Sequence, residues 1–119
     1  MPAQPPEDAR TQGLRQSELP AFDLRVERRP DAATVAARGD LDRAAAPELW
    51  AAFEKIAEEM PGAPVTVDLR QVAFMDSGGL RVLLDGRHLF REGFVILAAG
   101  RSRDLLEATG CERFLEIRY

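Results

Sequence analysis

The hydrophobic pattern of the chain switches repeatedly between a two-residue period and a helical period, and this alternation restricts the possible folds most strongly. Alternating apolar residues predict strands at 22–26, 33–39, 65–70 and 115–119. The stretch FVILAA at 94–99 is apolar on both faces, which is typical of a strand inside a parallel sheet. Helical spacing separates the last four of these strands, at 47–60, 80–93 and 102–110.

Strands that alternate with helices predict an α/β fold with a mostly parallel sheet. Only the short segment RRPDA separates the first two strands, so these two are expected to form an antiparallel hairpin. The predicted order is β-β-α-β-α-β-α-β in one domain at 21–119, with the helices packed on the sheet. Residues 1–20 contain four of the eight prolines and few large apolar side chains, which predicts a flexible N-terminal tail.

Composition excludes several functions for this chain of 119 residues. Its formal net charge of -4 argues against nucleic-acid binding, which needs a basic surface. Cys111 is the single cysteine, so an intramolecular disulfide is impossible, and this fits a reducing compartment. The apolar run FVILAA is far too short to cross a membrane, and the N-terminus has no apolar core like that of a signal peptide. We therefore expect a cytoplasmic protein that does not act in a membrane.

The stretch FMDSGGL at 74–80 places a serine between a carboxylate and two glycines. A serine hydrolase would need a base beside Ser77, but the only histidine, His88, is predicted to lie on the same helix, roughly 16 Å away along its axis. Neither G-x-S-x-G nor a phosphate-binding G-x-x-x-x-G-K-[ST] motif is present. His88 and Cys111 lack the spacing of metal ligands. We expect no catalytic residue, cofactor or metal.

Two interpretations of this stretch remain, and they are compatible. In the structural one, Asp76 or Ser77 caps the following helix, and the glycines allow a tight turn. In the functional one, Ser77 is phosphorylated, because a helix N-terminus favours an anion and the added charge would alter a binding surface.

The segment VTVDLRQVAFMDSGGLRVLL resembles the central signature of STAS domains, the family of sulfate transporters and anti-sigma-factor antagonists. GDLDRAAAPEL at 39–49 is similar to the family segment before its first helix, and FVILAAGRSRDLLEATGCERFLEI resembles its later strand-helix-strand part. The resemblance extends over about residues 22–119.

The resemblance implies a bacterial partner-switching regulator that binds an anti-sigma factor, itself a serine kinase, and thereby releases a sigma factor. The kinase would phosphorylate Ser77 and end the binding, and a phosphatase would restore it. This protein would be a substrate rather than an enzyme. The expected partner surface comprises Asp42, Asp76, Gly78, Gly79, Leu80 and Arg81.

The chain departs from the family pattern at two places. Gly78 replaces a second hydroxyl residue that relatives often carry, and the chain stops at Tyr119 where many relatives continue into another helix. Two other functions stay open. One is a STAS scaffold or transport accessory subunit without a phosphorylation switch, and the other is a module that senses a nucleotide or another anion.

Overall fold

The computed structural model describes residues 22–119, and the tail predicted at 1–20 lies outside the described residues. The strands are β1 (Asp23–Arg28), β2 (Ala33–Leu41), β3 (Val65–Met75), β4 (Phe94–Leu97) and β5 (Glu116–Arg118). The helices are α1 (Ala46–Glu59), α2 (Ser77–Leu89) and α3 (Gly100–Thr109), and a 3₁₀ turn, Cys111–Arg113, precedes β5. The predicted order of elements is confirmed.

The five strands form one sheet in the order β1-β2-β3-β4-β5. β1 pairs with β2 in antiparallel orientation, and the three other neighbouring pairs are parallel. The predicted α/β fold with an N-terminal hairpin is therefore confirmed. Helices α1 and α2 pack against each other, and α3 packs against β3.

The burial of the strand residues agrees with this arrangement. Val35, Val67 and Ile96 face the helices and are fully buried, whereas their neighbours Ala36 and Asp68 on the opposite face are only half-buried. The core between sheet and helices contains an aromatic group in which Phe53 of α1 packs edge-on against Phe90 and Phe94, with ring centroids 5.7 and 5.6 Å away. Such edge-to-face pairs add to the stability gained from burial alone.

Strand β3 is longer than its hydrophobic pattern indicates. It continues from the predicted end at Arg70 to Met75, and it pairs with β2 over this length through two shifts of register, between Ala36 and Arg38 and between Gly39 and Asp40. Gly39 has a φ of 96°, which glycine adopts without strain. These irregularities break the two-residue alternation, and they bring the end of β2 beside the start of α2.

Strand β4 is shorter than the predicted 94–99 and ends at Leu97. It lies between β3 and β5, as expected for a strand with two apolar faces. Phe94 and Ile96 are buried under the helices, while Val95 and Leu97 on the other face are half-buried.

Candidate functional site: the Ser77 edge

The residues that the sequence singled out meet at one edge of the sheet, where β2 and β3 both end. We call this surface the Ser77 edge; it consists of the segment 41–43 after β2 and the segment 76–81 that begins α2. The carboxyl ends of parallel strands are where α/β sheets usually carry their sites. Ser77 and Asp42, predicted to contribute to one surface, therefore lie on two adjoining segments.

Asp76 is the N-cap of α2. Its backbone is extended, and its Oδ1 accepts a hydrogen bond from the backbone N–H of Gly79 at 3.1 Å. Carboxylates cap helices well because they satisfy N–H groups that have no partner inside the helix. Of the two candidate caps in the sequence, Asp76 has this role, and Ser77 is the first residue of the helix.

The second oxygen of Asp76 joins the two segments of the Ser77 edge. Its Oδ2 accepts a hydrogen bond from the backbone N–H of Arg43 at 3.0 Å, and its own backbone N–H donates to the carbonyl of Leu41 at 3.4 Å. The N–H of Gly79 is the main cause of a lowered Asp76 pKa, with further contributions from the N–H groups of Arg43 and Gly78 and from the Arg43 charge. The carboxylate is thus held ionised by the backbone around it.

The two glycines after Ser77 lie in close contact with the segment after β2, and Gly79 makes the closer contact. A Cβ placed on Gly79 would lie 2.1 Å from the carbonyl oxygen of Leu41, a distance at which the backbone must move. A Cβ on Gly78 would lie 3.0 Å from Cα and Cβ of Arg43. The glycines therefore let α2 begin directly against the end of β2, with Gly79 beside Leu41 and Gly78 beside Arg43.

Ser77 itself is exposed. Within residues 22–119, no hydrogen bond involves its hydroxyl. Leu80 is half-buried and packs against the core, while Arg81 is exposed and pairs with Asp85 one turn later, at 3.2 Å between Nε and Oδ1. The Ser77 side chain is thus accessible to solvent, whereas the neighbouring Asp76 carboxylate is engaged in hydrogen bonds with the backbone.

Asp42 has a local structural role in the same edge. Its Oδ1 accepts a hydrogen bond from the N–H of Ala45 at 2.9 Å, and its carbonyl accepts from Ala45 and Ala46, which starts the turn into α1. The side chain is half-buried, so one part of the carboxylate still reaches solvent. The Asp42 carboxylate therefore stabilises the turn that precedes α1.

Sequence reasoning missed two residues of this region, Arg43 and Phe74. Arg43 is exposed and lies against Gly78, a contact between positions 35 apart that no local pattern reveals. Phe74 is 44% exposed at the end of β3, where an apolar strand residue is normally covered. The signal for Phe74 was the break in alternation at Arg70 and Gln71, both exposed, which moves later residues to a different face.

A surface depression lies elsewhere, on the sheet face that carries Ala36 and Asp68. Its charged lining consists of Asp23, Arg25, Arg38, Asp68 and Arg70. Two of its arginines are paired with carboxylates, Arg70 with Asp68 at 2.8 Å and Arg38 with Asp23 at 3.8 Å. Because these pairs balance most of the positive charge, the depression gives little support to an anion-sensing function.

Residues 22–119 give no support to hydrolysis by a Ser77–His88 pair or to metal binding. His88 is on α2, eleven residues after Ser77 as expected, and it is exposed. Among residues 22–119 there is no group of three or more side chains able to hold a metal ion. No helix in this range has the length and apolar character needed to cross a lipid bilayer. Cys111 is a buried free thiol.

Comparison with known families shows to which family this chain belongs. The family model described as Mlab, STAS domain matches residues 24–116. The chain belongs to the STAS domain family. This STAS domain finds no significant match among curated proteins.

Solved structures share the fold over most of the STAS domain. An anti-sigma factor antagonist from Mycobacterium paratuberculosis is 25% identical with a TM-score of 0.72, over 82% of this chain and 85% of that chain. The anti-sigma factor antagonist SpoIIAA in its unphosphorylated form is 16% identical with a TM-score of 0.65, covering 83% and 89%. The Bacillus cell fate determinant SpoIIAA in its phosphorylated form is 18% identical with a TM-score of 0.59, covering 83% and 92%.

Proposed function

We propose that this STAS domain is a bacterial, cytoplasmic anti-sigma-factor antagonist that is switched off by phosphorylation of Ser77. The observation that carries the proposal is the exposed Ser77 hydroxyl, which makes no hydrogen bond within residues 22–119, next to an Asp76 side chain that caps α2. A protein kinase needs a hydroxyl that its active site can reach. The similarity to the mycobacterial antagonist supports the choice of partner system.

In the proposed reaction this protein is only a substrate. The Ser77 oxygen attacks the γ-phosphorus of ATP, its proton passes to a base on the kinase, and ADP leaves. Asp76 is unsuited to be that base, because both of its oxygens accept backbone hydrogen bonds and its pKa is lowered, first by the N–H of Gly79. Phosphate removal by a phosphatase would return the same hydroxyl. No cofactor of this protein takes part in the cycle.

The proposed partner surface is the Ser77 edge. Within this edge, the residues proposed to contact the partner are Asp42, Asp76, Gly78, Gly79, Leu80 and Arg81. Gly79 is buried and contributes by allowing the close approach of α2 to Leu41, whereas Arg81 is exposed and can exchange Asp85 for a carboxylate of the partner. Because Asp42 also caps a turn, Asp42→Asn is the variant that removes its charge while keeping an acceptor for Ala45.

The phosphate acts on the complex through charge and hydration. It adds roughly −1.5 to −2 charges beside Asp76, and these must lose water when the partner covers the edge. In the free protein the same phosphate stays in solvent at the start of α2, where helix N–H groups favour an anion. We therefore expect phosphorylation of Ser77 to leave the free protein folded but to weaken its complex with the partner.

The proposal is tested by incubating the protein with ATP and the anti-sigma serine kinase of the same organism, and by recording intact masses. Wild type should gain the mass of one phosphate, and Ser77→Ala should gain none while still binding the kinase. A phosphate on Ser77→Ala would exclude Ser77 as the acceptor. If wild type gains no phosphate and does not bind the kinase, a STAS scaffold or transport accessory subunit becomes the better assignment. Nucleotide binding by the protein alone would favour a sensing module.

A further inference from the structure

We propose that Arg43 is a second component of the Ser77 switch. Its guanidinium pairs with the phosphate when Ser77 is phosphorylated, and it is available to the partner when Ser77 is unmodified. The inference rests on the proposed function, because it concerns the phosphate on that residue. It goes further by assigning the switch a second component on a different segment of the chain.

The backbone of Arg43 is fixed beside the modified position. Its N–H donates to Oδ2 of Asp76 at 3.0 Å, and its Cα and Cβ lie 3.0 Å from the place where Gly78 would carry a side chain. Gly78 follows Ser77 directly, and consecutive Cα atoms are about 3.8 Å apart. The long arginine side chain therefore starts within reach of a phosphate on Ser77.

The guanidinium of Arg43 is available for this pairing. The side chain is exposed, and none of the ion pairs found among residues 22–119 involves it. After the N–H groups of the cap, of which Gly79 is the strongest, the Arg43 charge also lowers the Asp76 pKa, so this cation acts on the edge from nearby. Arg81, the other arginine of the edge, is engaged by Asp85 at 3.2 Å.

The chemistry of arginine suits a phosphate. Its planar guanidinium presents paired N–H donors that match phosphate oxygens, and charge-assisted hydrogen bonds of this kind are stronger than neutral ones. The same group is able to bind a carboxylate of the partner while Ser77 is unmodified. Phosphorylation would then weaken the complex in two ways, by adding a repelling charge and by removing an attracting one.

The test uses protein with phosphoserine incorporated at position 77 during translation, so the pairing is measured without the partner kinase. The phosphate resonance is followed by ³¹P NMR across its second ionisation. Five charged groups surround the phosphate. They are Asp42 and Arg43 after β2, Asp76 directly before Ser77, and Arg81 and Asp85 on α2. Wild type is compared with Arg43→Gln, with Arg43→Lys, and with Arg81→Gln as a matched control.

Arg43→Gln should raise the second pKa of the phosphoserine by about half a pH unit, because a cation that favours the dianion is lost. Arg43→Lys should restore part of the shift, Arg81→Gln should change it less, and 1 M salt should shrink the difference. Amide spectra of the unmodified variants check that the fold is intact. An equal pKa in wild type and Arg43→Gln would overturn the pairing, even if Ser77 is the phosphoacceptor. If the pairing is found but the kinase fails to bind the unmodified protein, the proposed function is wrong and the pairing stands.

Discussion

Asp76 and Ser77 are adjacent, but the Asp76 side chain is hydrogen-bonded to the backbone and the Ser77 side chain faces solvent. Both oxygens of Asp76 accept backbone hydrogen bonds, from Gly79 within α2 and from Arg43 on the neighbouring segment. The Ser77 side chain is exposed to solvent. The sequence predicted that one of these two residues caps the helix. The structure shows that Asp76 is the cap, and its second hydrogen bond joins it to Arg43, 33 positions away, a contact that leaves no trace in the local sequence.

Replacing Asp76 by Asn should make stability less dependent on pH in acid. The native pKa of Asp76 is lowered, chiefly by the Gly79 N–H, so its stabilising effect is complete above the unfolded value of about 3.9. That effect is lost as the pH falls through the native value. Urea midpoints measured from pH 7 to pH 3 should show wild type more stable at pH 7 and the two proteins converging below about pH 4. Asp85→Asn, which removes a half-buried carboxylate of the same helix that pairs with Arg81, is the control. A wild-type advantage of the same size at pH 3 would contradict the role of the ionised cap.

At the scale of elements, hydrophobic periodicity predicted the strands and helices because each buries one regular face. It failed where a strand is irregular. The shifts of register near Gly39 and the two exposed residues Arg70 and Gln71 interrupt the alternation, so the last part of β3 could not be recognised. This irregular part brings β3 to the start of α2. The candidate site therefore lies where the sequence pattern is weakest.

Close packing of α2 on the aromatic core depends on Gly86. A Cβ there would lie 2.8 Å from ring atoms of both Phe53 and Phe94. Gly86→Ala should therefore destabilise the protein by about 1–3 kcal/mol, although alanine is favoured over glycine in helices by about 1 kcal/mol. Urea unfolding measures the difference, with the exposed Arg87→Ala as a control expected to change stability by less than about 0.5 kcal/mol. A Gly86→Ala protein more stable than wild type would show that α2 has room to move.

At the scale of the whole molecule, the direction of the sheet determines where the candidate site can be. Parallel strands bring the ends of β2 and β3 to one edge, and the glycines let α2 begin directly against that edge. The family resemblance assigned Asp42 and the segment around Ser77 to one expected surface, and strand order explains why the two lie on adjoining segments, since both follow parallel strands. Composition and periodicity did not predict the partner kinase, which only the family resemblance implied.

The central claim is that one phosphate at this edge controls binding, and affinity measures it most directly. The dissociation constant for the anti-sigma kinase should be determined by calorimetry for unmodified protein, for protein carrying phosphoserine at position 77, and for Ser77→Ala. The account predicts that the phosphate weakens binding on the order of a hundredfold, roughly 3 kcal/mol, while Ser77→Ala binds like the unmodified protein. Equal dissociation constants with and without the phosphate would contradict it.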